Sequence, residues 1–91
     1  MAVTVKIPMV LRSLTGEQGT VMYEASTLQE LVEHLETSYP GMQDRLCEAD
    51  GQLRRFVNVF VNGEDVRFLQ GLESALTEGD EVSIVPAVAG G

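Results

Sequence analysis

The stretch "STLQELVEHLETSYPG", Ser26 to Gly41, constrains the fold more than any other part of the chain. Leu28, Leu31, Val32 and Leu35 fall at i, i+3, i+4 and i+7, the apolar stripe of an amphipathic helix. Thr27 stands just before the stripe and Glu30 three residues after it, the spacing of a capping box. Pro40 and Gly41 stop the helix. This is the clearest helix in the chain, and a lone amphipathic helix can bury its stripe only against another element.

The segments around it supply that element. Val3, Val5, Ile7, Met9 and Leu11 occupy alternate positions, which predicts one half-buried strand. "SLTGEQGT", Ser13 to Thr20, is rich in turn formers, and "TVMYEA" reads as the second strand of an N-terminal hairpin. Met42 to Leu53 mixes charges with Gly51 and reads as an irregular connection with a short helical turn around Gln43 to Cys47.

"FVNVFVNGEDV" predicts a second hairpin, because Asn62-Gly63 tolerates the positive φ angles of a type I′ turn. Phe56 and Phe60 fall opposite Val57, Val59 and Val61 in the alternation, which suggests a strand buried on both faces. A turn at Gly79-Asp80 leads into the last strand, Val82 to Pro86, whose apolar run suggests a central position. Strand, strand, helix, strand, strand, strand is the order of a β-grasp fold. The expected class is α+β, with a mixed sheet of four to five strands packed against one main helix.

At 91 residues the chain fits one domain, 1–91, with no room for a second core. Its 44% hydrophobic and 22% charged content are those of an ordinary globular domain. A net charge of −8 with 6 Lys and Arg argues against nucleic acid and against an anionic membrane surface. The acidity reads as solubility, or as steering toward a basic partner. The single cysteine, Cys47, cannot close an internal disulfide. No stretch approaches transmembrane length, and the expected location is cytoplasmic.

Catalytic and metal chemistry find little to work with. His34 is the only histidine and lies one turn after Glu30, the spacing of an exposed i, i+4 pair. Cys47 precedes Glu48, whose carboxylate disfavours a thiolate, so a partly buried structural cysteine is expected. "TGEQG" lacks the Lys and Ser/Thr of a phosphate loop and reads as a hairpin loop. No bound cofactor, metal or catalytic residue is expected.

The remaining feature is the end, "VSIVPAVAGG", where Pro86 marks the place at which sheet pairing stops. Ala87, Val88, Ala89, Gly90 and Gly91 could project roughly 15–18 Å if extended. Glycine adds no side chain to obstruct a narrow channel and fits its backbone to whatever lines that channel. Such a tail suits delivery of a terminal carboxylate into another protein's active site. With a reference pKa of about 3.3–3.7 that carboxylate is ionised and a poor electrophile, so it must be activated, as by adenylation, before a nucleophile attacks.

The segments "FVNVFVNGEDVRFLQGL", "LTEGDEVSIVPAVAGG", "VTVKIPMVLR" and "TLQELVEHLE" cover nearly the whole chain. Together they resemble the ubiquitin-like sulfur carriers of the ThiS/MoaD family, and most closely the members that serve cysteine biosynthesis. The resemblance implies that an ATP-dependent adenylating and sulfurylating enzyme of the MoeB/ThiF type converts the Gly91 carboxylate to a thiocarboxylate. It also implies two further partners: a pyridoxal-phosphate cysteine synthase that receives the sulfur, and a zinc peptidase that releases the cysteine.

Residue by residue, it assigns the sulfur to Gly91, a thin threading segment to Gly90, and passage through the partner's channel mouth to Ala87, Val88 and Ala89. Val66, Phe68 and Leu69 follow the second hairpin as an apolar run, with docking to a partner and core packing as their two alternative roles. Molybdopterin and thiamin pathways remain alternative destinations for the sulfur. So does a ubiquitin-like modifier that forms isopeptides through Gly91, and an interaction module whose tail is chemically idle.

Overall fold

The computed structural model describes residues 2–86. Five strands form one mixed sheet: β1 (Ala2–Lys6), β2 (Thr20–Glu24), β3 (Val57–Val61), β4 (Glu64–Asp65) and β5 (Glu81–Pro86). Their spatial order is β2-β1-β5-β3-β4. β1 pairs antiparallel with β2 and parallel with β5, while β5 pairs antiparallel with β3. The last strand is therefore central, as its apolar run suggests.

Helix α1 (Leu28–Ser38) buries Leu28, Leu31, Val32 and Leu35, the four residues of the predicted stripe. They join Val3, Val5, Val21, Val57, Val59, Val61, Val82 and Ile84 of the sheet in one core cluster. Short helix α2 (Met42–Leu46) adds Met42 and Leu46, in the connection where a helical turn is expected.

The N-cap of α1 closes by a different partner from the one its spacing implies. Thr27 Oγ1 accepts the Glu30 N–H at 3.2 Å, but Glu30 Oε1 accepts the Ser26 N–H at 2.8 Å, one residue before the cap. The carboxylate still satisfies a donor outside the helix, which is the physical task of the motif.

Two strand expectations need correction. The first strand ends at Lys6, and Met9 to Thr15 form a 3₁₀ segment instead of its continuation. Pro8 has no N–H to offer a ladder, and its carbonyl accepts the Leu11 N–H at 2.9 Å, which starts the turn. Leu11 is still buried, but Met9 points outward and is 77% exposed.

β3 is buried on one face only. Val57, Val59 and Val61 are buried, Asn58 and Phe60 are half-buried, and Phe56 lies outside the strand. The β3–β4 hairpin turns as predicted, with φ of 52° at Asn62 and 85° at Gly63.

Candidate functional site

The residues with the sharpest assigned role, Ala87 to Gly91, lie outside the described residues. Their point of attachment is described. Pro86 is the last residue of β5 and pairs with Val57, the first residue of β3. Proline has no N–H of its own to give the ladder at that position.

Apolar side chains are exposed around this end of the sheet. Val85 precedes Pro86, and Phe56, 66% exposed, precedes its partner Val57. β1 runs parallel to β5, so Met9 and Val10, which follow it, also lie toward the end where β5 finishes. Apolar period does not single these residues out, since Met9 shares the parity of the buried strand positions. The signal that separates it is Pro8.

Charge is mixed along the same axis, with Glu17 beside Arg12 and Glu48 beside Arg54 at the tail end. Lys6, Arg54 and Arg55 sit toward the tail end, whereas Glu24, Glu64 and Glu81 sit at strand ends on the opposite side of the sheet. Glu48 pairs with Arg54 at 3.1 Å.

The three hairpin-following residues separate. Val66 is 0% exposed and belongs to the core, which removes it from any docking surface and gives it the packing role. Phe68 is 84% exposed and Leu69 40%, and both line an open groove with Gln70, Glu73, Ser74 and Ala75. Asp65 causes the split by accepting the Arg67 N–H at 2.8 Å, which starts a 3₁₀ turn over Val66–Phe68. In that turn Val66 faces inward and Phe68 outward.

Other polar candidates have local duties. Glu30 is occupied by Ser26, and His34 stacks on Tyr23 with centroids 6.1 Å apart, instead of pairing with Glu30. Cys47 is buried, and burial raises its thiol pKa, opposed by Arg54 and reinforced by Asp50. A thiol in that setting is a packing group. Among the described residues, no group of three or more His, Cys, Asp and Glu side chains is placed to hold a metal, and no helix is long and apolar enough to cross a membrane.

Arg67 was not legible as a special residue, because nothing in its sequence context separates it from a surface charge. In the structure its guanidinium donates to three backbone carbonyls, those of Arg54, Arg55 and Val57, at 2.9, 3.1 and 2.8 Å.

Known proteins share this frame over its full length. The sulfur carrier protein CysO of Mycobacterium tuberculosis is 50% identical over 93 residues, covering 100% of both chains. The structure of the Amycolatopsis orientalis BexX/CysO complex contains a chain that superposes with a TM-score of 0.92 at 45% identity, covering 98% of this chain and 99% of that one. Small archaeal modifier protein 3 of Haloferax volcanii is 44% identical over 66 residues, 72% of this chain and 71% of its own. The five-stranded sheet with its covering helix is thus the ubiquitin-like β-grasp fold. A model of the ThiS family matches residues 5–91, and the chain belongs to that family.

Proposed function

We propose that this sulfur carrier bears its sulfur on the C-terminal carboxylate of Gly91, as a thiocarboxylate, and supplies it for cysteine biosynthesis. The full-length 50% identity to a CysO sulfur carrier is the observation that carries the reading. The attachment of the tail to the central strand supports it, because a rigid base favours delivery of a terminal group into a partner.

The chemistry is acyl activation followed by substitution. A carboxylate oxygen of Gly91 attacks the α-phosphorus of ATP in an adenylating partner of the MoeB/ThiF type, and pyrophosphate leaves. Sulfide then attacks the acyl carbon, the bond to AMP breaks, and the thiocarboxylate remains on the chain. A pyridoxal-phosphate synthase would supply a three-carbon acceptor whose electrophilic β-carbon takes the sulfur, leaving the new cysteine joined to Gly91 as a thioester. The acyl group then moves from sulfur to the cysteine nitrogen, and a zinc peptidase hydrolyses the resulting amide to free the cysteine and restore the Gly91 carboxylate. ATP and pyridoxal phosphate belong to those partners, and this chain is a cosubstrate. Gly90 keeps the threading segment thin, Ala87, Val88 and Ala89 pass through the channel mouth, and Phe68 and Leu69 remain on the surface for docking. We place the cycle in the cytoplasm, where a free cysteine stays reduced.

The likeness to an archaeal modifier favours one second reading, in which activated Gly91 forms an isopeptide with a lysine. Intact mass separates the two. After incubation with the organism's adenylating enzyme, ATP and sulfide, a gain equal to replacement of oxygen by sulfur at Gly91 is expected. An unchanged mass, with the enzyme active on another carrier, would overturn the carrier reading, and lysine conjugates in the same mixture would establish the second.

A further inference from the structure

The start of β3 has a missing neighbour. β4 pairs only with Phe60 and Val61, so the ladder on that side of β3 ends well before Val57. An uncovered strand edge leaves a backbone carbonyl without a donor, here that of buried Val57. Arg54 and Arg55 precede the strand, and the Arg54 carbonyl also accepts the Val57 N–H at 3.1 Å. Arg67 fills the gap. The two N–H groups of its Nη2 are shared among the carbonyls of Arg54, Arg55 and Val57, and its Nη1 donates to Asn58 Oδ1.

One planar fork thus gathers four acceptors over the run from Arg54 to Asn58. It is held in turn by its own backbone, since the Arg67 N–H is capped by Asp65. The same run carries exposed Phe56 and meets the end of β5, with Val57 opposite Pro86 and Asn58 opposite Val85.

We propose that Arg67 is a positioning residue for sulfur loading: its guanidinium stands in for the absent strand and fixes the backbone that flanks the base of the tail. The proposal rests on the sulfur-carrier reading above. It requires no contact between Arg67 and the reacting carboxylate. The fork fixes the start of β3, and that segment in turn presents Phe56 and the end of β5 to the activating enzyme in one arrangement. A lysine cannot reproduce this, because its one ammonium nitrogen can take the place of Nη2 at the carbonyls only by leaving the Nη1 bond to Asn58 Oδ1 unmade, and it lacks the rigid plane that holds the two nitrogens in a fixed relation.

The test uses the full chain, with Arg67→Lys and Arg67→Ala, in ATP–pyrophosphate exchange catalysed by the organism's adenylating enzyme. Assays are run well below each variant's melting temperature, so that loss of folded protein does not enter. For Arg67→Lys the carrier concentration at half-maximal rate should rise about tenfold with the maximal rate nearly unchanged, the pattern of lost productive docking. Arg67→Ala should show a larger rise. Amide hydrogen exchange should quicken at Val57 and Asn58 while α1 and the β1–β2 ladder stay protected.

Half-saturation at the wild-type concentration in Arg67→Lys would overturn the proposal, and that variant decides alone if Arg67→Ala does not fold. Quickened exchange spread over the whole sheet would overturn it too, as it would mark a general stability role. If the wild-type chain supports no pyrophosphate exchange with an enzyme active on another carrier, the sulfur-carrier reading itself fails and the positioning role falls with it.

Discussion

The side chains of Asn62 and Asp80 are joined directly, Asn62 Nδ2–H donating to Asp80 Oδ1 at 2.9 Å, and this ties the β3–β4 turn to the turn that leads into β5. Asn62 Oδ1 accepts the Glu81 N–H at 2.9 Å, and Asp80 accepts both the N–H and the hydroxyl of Thr77 at 2.9 and 3.0 Å. Two loops far apart in sequence are thereby held as one corner of the sheet.

These bonds predict an acid-sensitive corner. The Thr77 backbone N–H, then the Asn62 amide, hold the Asp80 carboxyl below its ordinary value of 3.8, against a smaller opposing effect of burial. A folded pKa below the unfolded one gives stability that is complete above the unfolded value and is lost as pH falls through the folded value. Asp80→Asn should therefore be less stable than wild type at neutral pH, with the gap narrowing once pH drops below 3.8. Urea midpoints for both proteins across that range check it, and a gap that stays constant would contradict it.

Val66 and Phe68, two residues apart in one short turn, should respond in opposite ways. Val66→Ala removes fully buried methyl groups and should cost about 2 kcal/mol of stability. Phe68→Ala alters an exposed ring and should change stability by no more than about 0.5 kcal/mol. Its effect belongs instead in the carrier concentration needed for half-maximal activation. Thermal melts alongside the exchange assay separate the two, and a destabilised Phe68→Ala with unaltered activation would reverse the assignment.

Much of the fold is legible in the sequence because its signals are local. The α1 stripe, the Asn62-Gly63 turn, the succession of elements along the chain and the central last strand follow from spacing and from residues with a narrow range of conformations. Alternation failed at Met9, where Pro8 overrides it; in β3 alternation held, and the error was to read the apolar Phe56 and Phe60 on the second face as buried. The candidate site was less legible. Whether Val66 or Phe68 faces outward depends on a turn set by the Asp65 side chain, and the reach of Arg67 to Arg54, Arg55 and Val57 spans the hairpin. Contacts made across a turn leave no period in the chain.

Removal of Gly90 and Gly91 should abolish sulfur loading while leaving the melt nearly unchanged, because the core cluster is built from Val3 to Ile84. One residue added after Gly91 should likewise block loading by displacing the carboxylate from the activating site. Intact mass and thermal melts decide both. A large drop in melting temperature on truncation, or sulfur transfer by an extended chain that has not been trimmed, would be incompatible with a reactive terminal carboxylate.

The central place of β5 also has a mechanical meaning. A partner that grips the tail and draws it along the strand direction loads two ladders at once, one to β1 and one to β3, and loads both in shear. An edge strand pulled sideways would peel one pair at a time. If the tail carries the sulfur as proposed, the strand behind it is the one least able to be drawn out with it, and a carrier pulled by its end would come back folded.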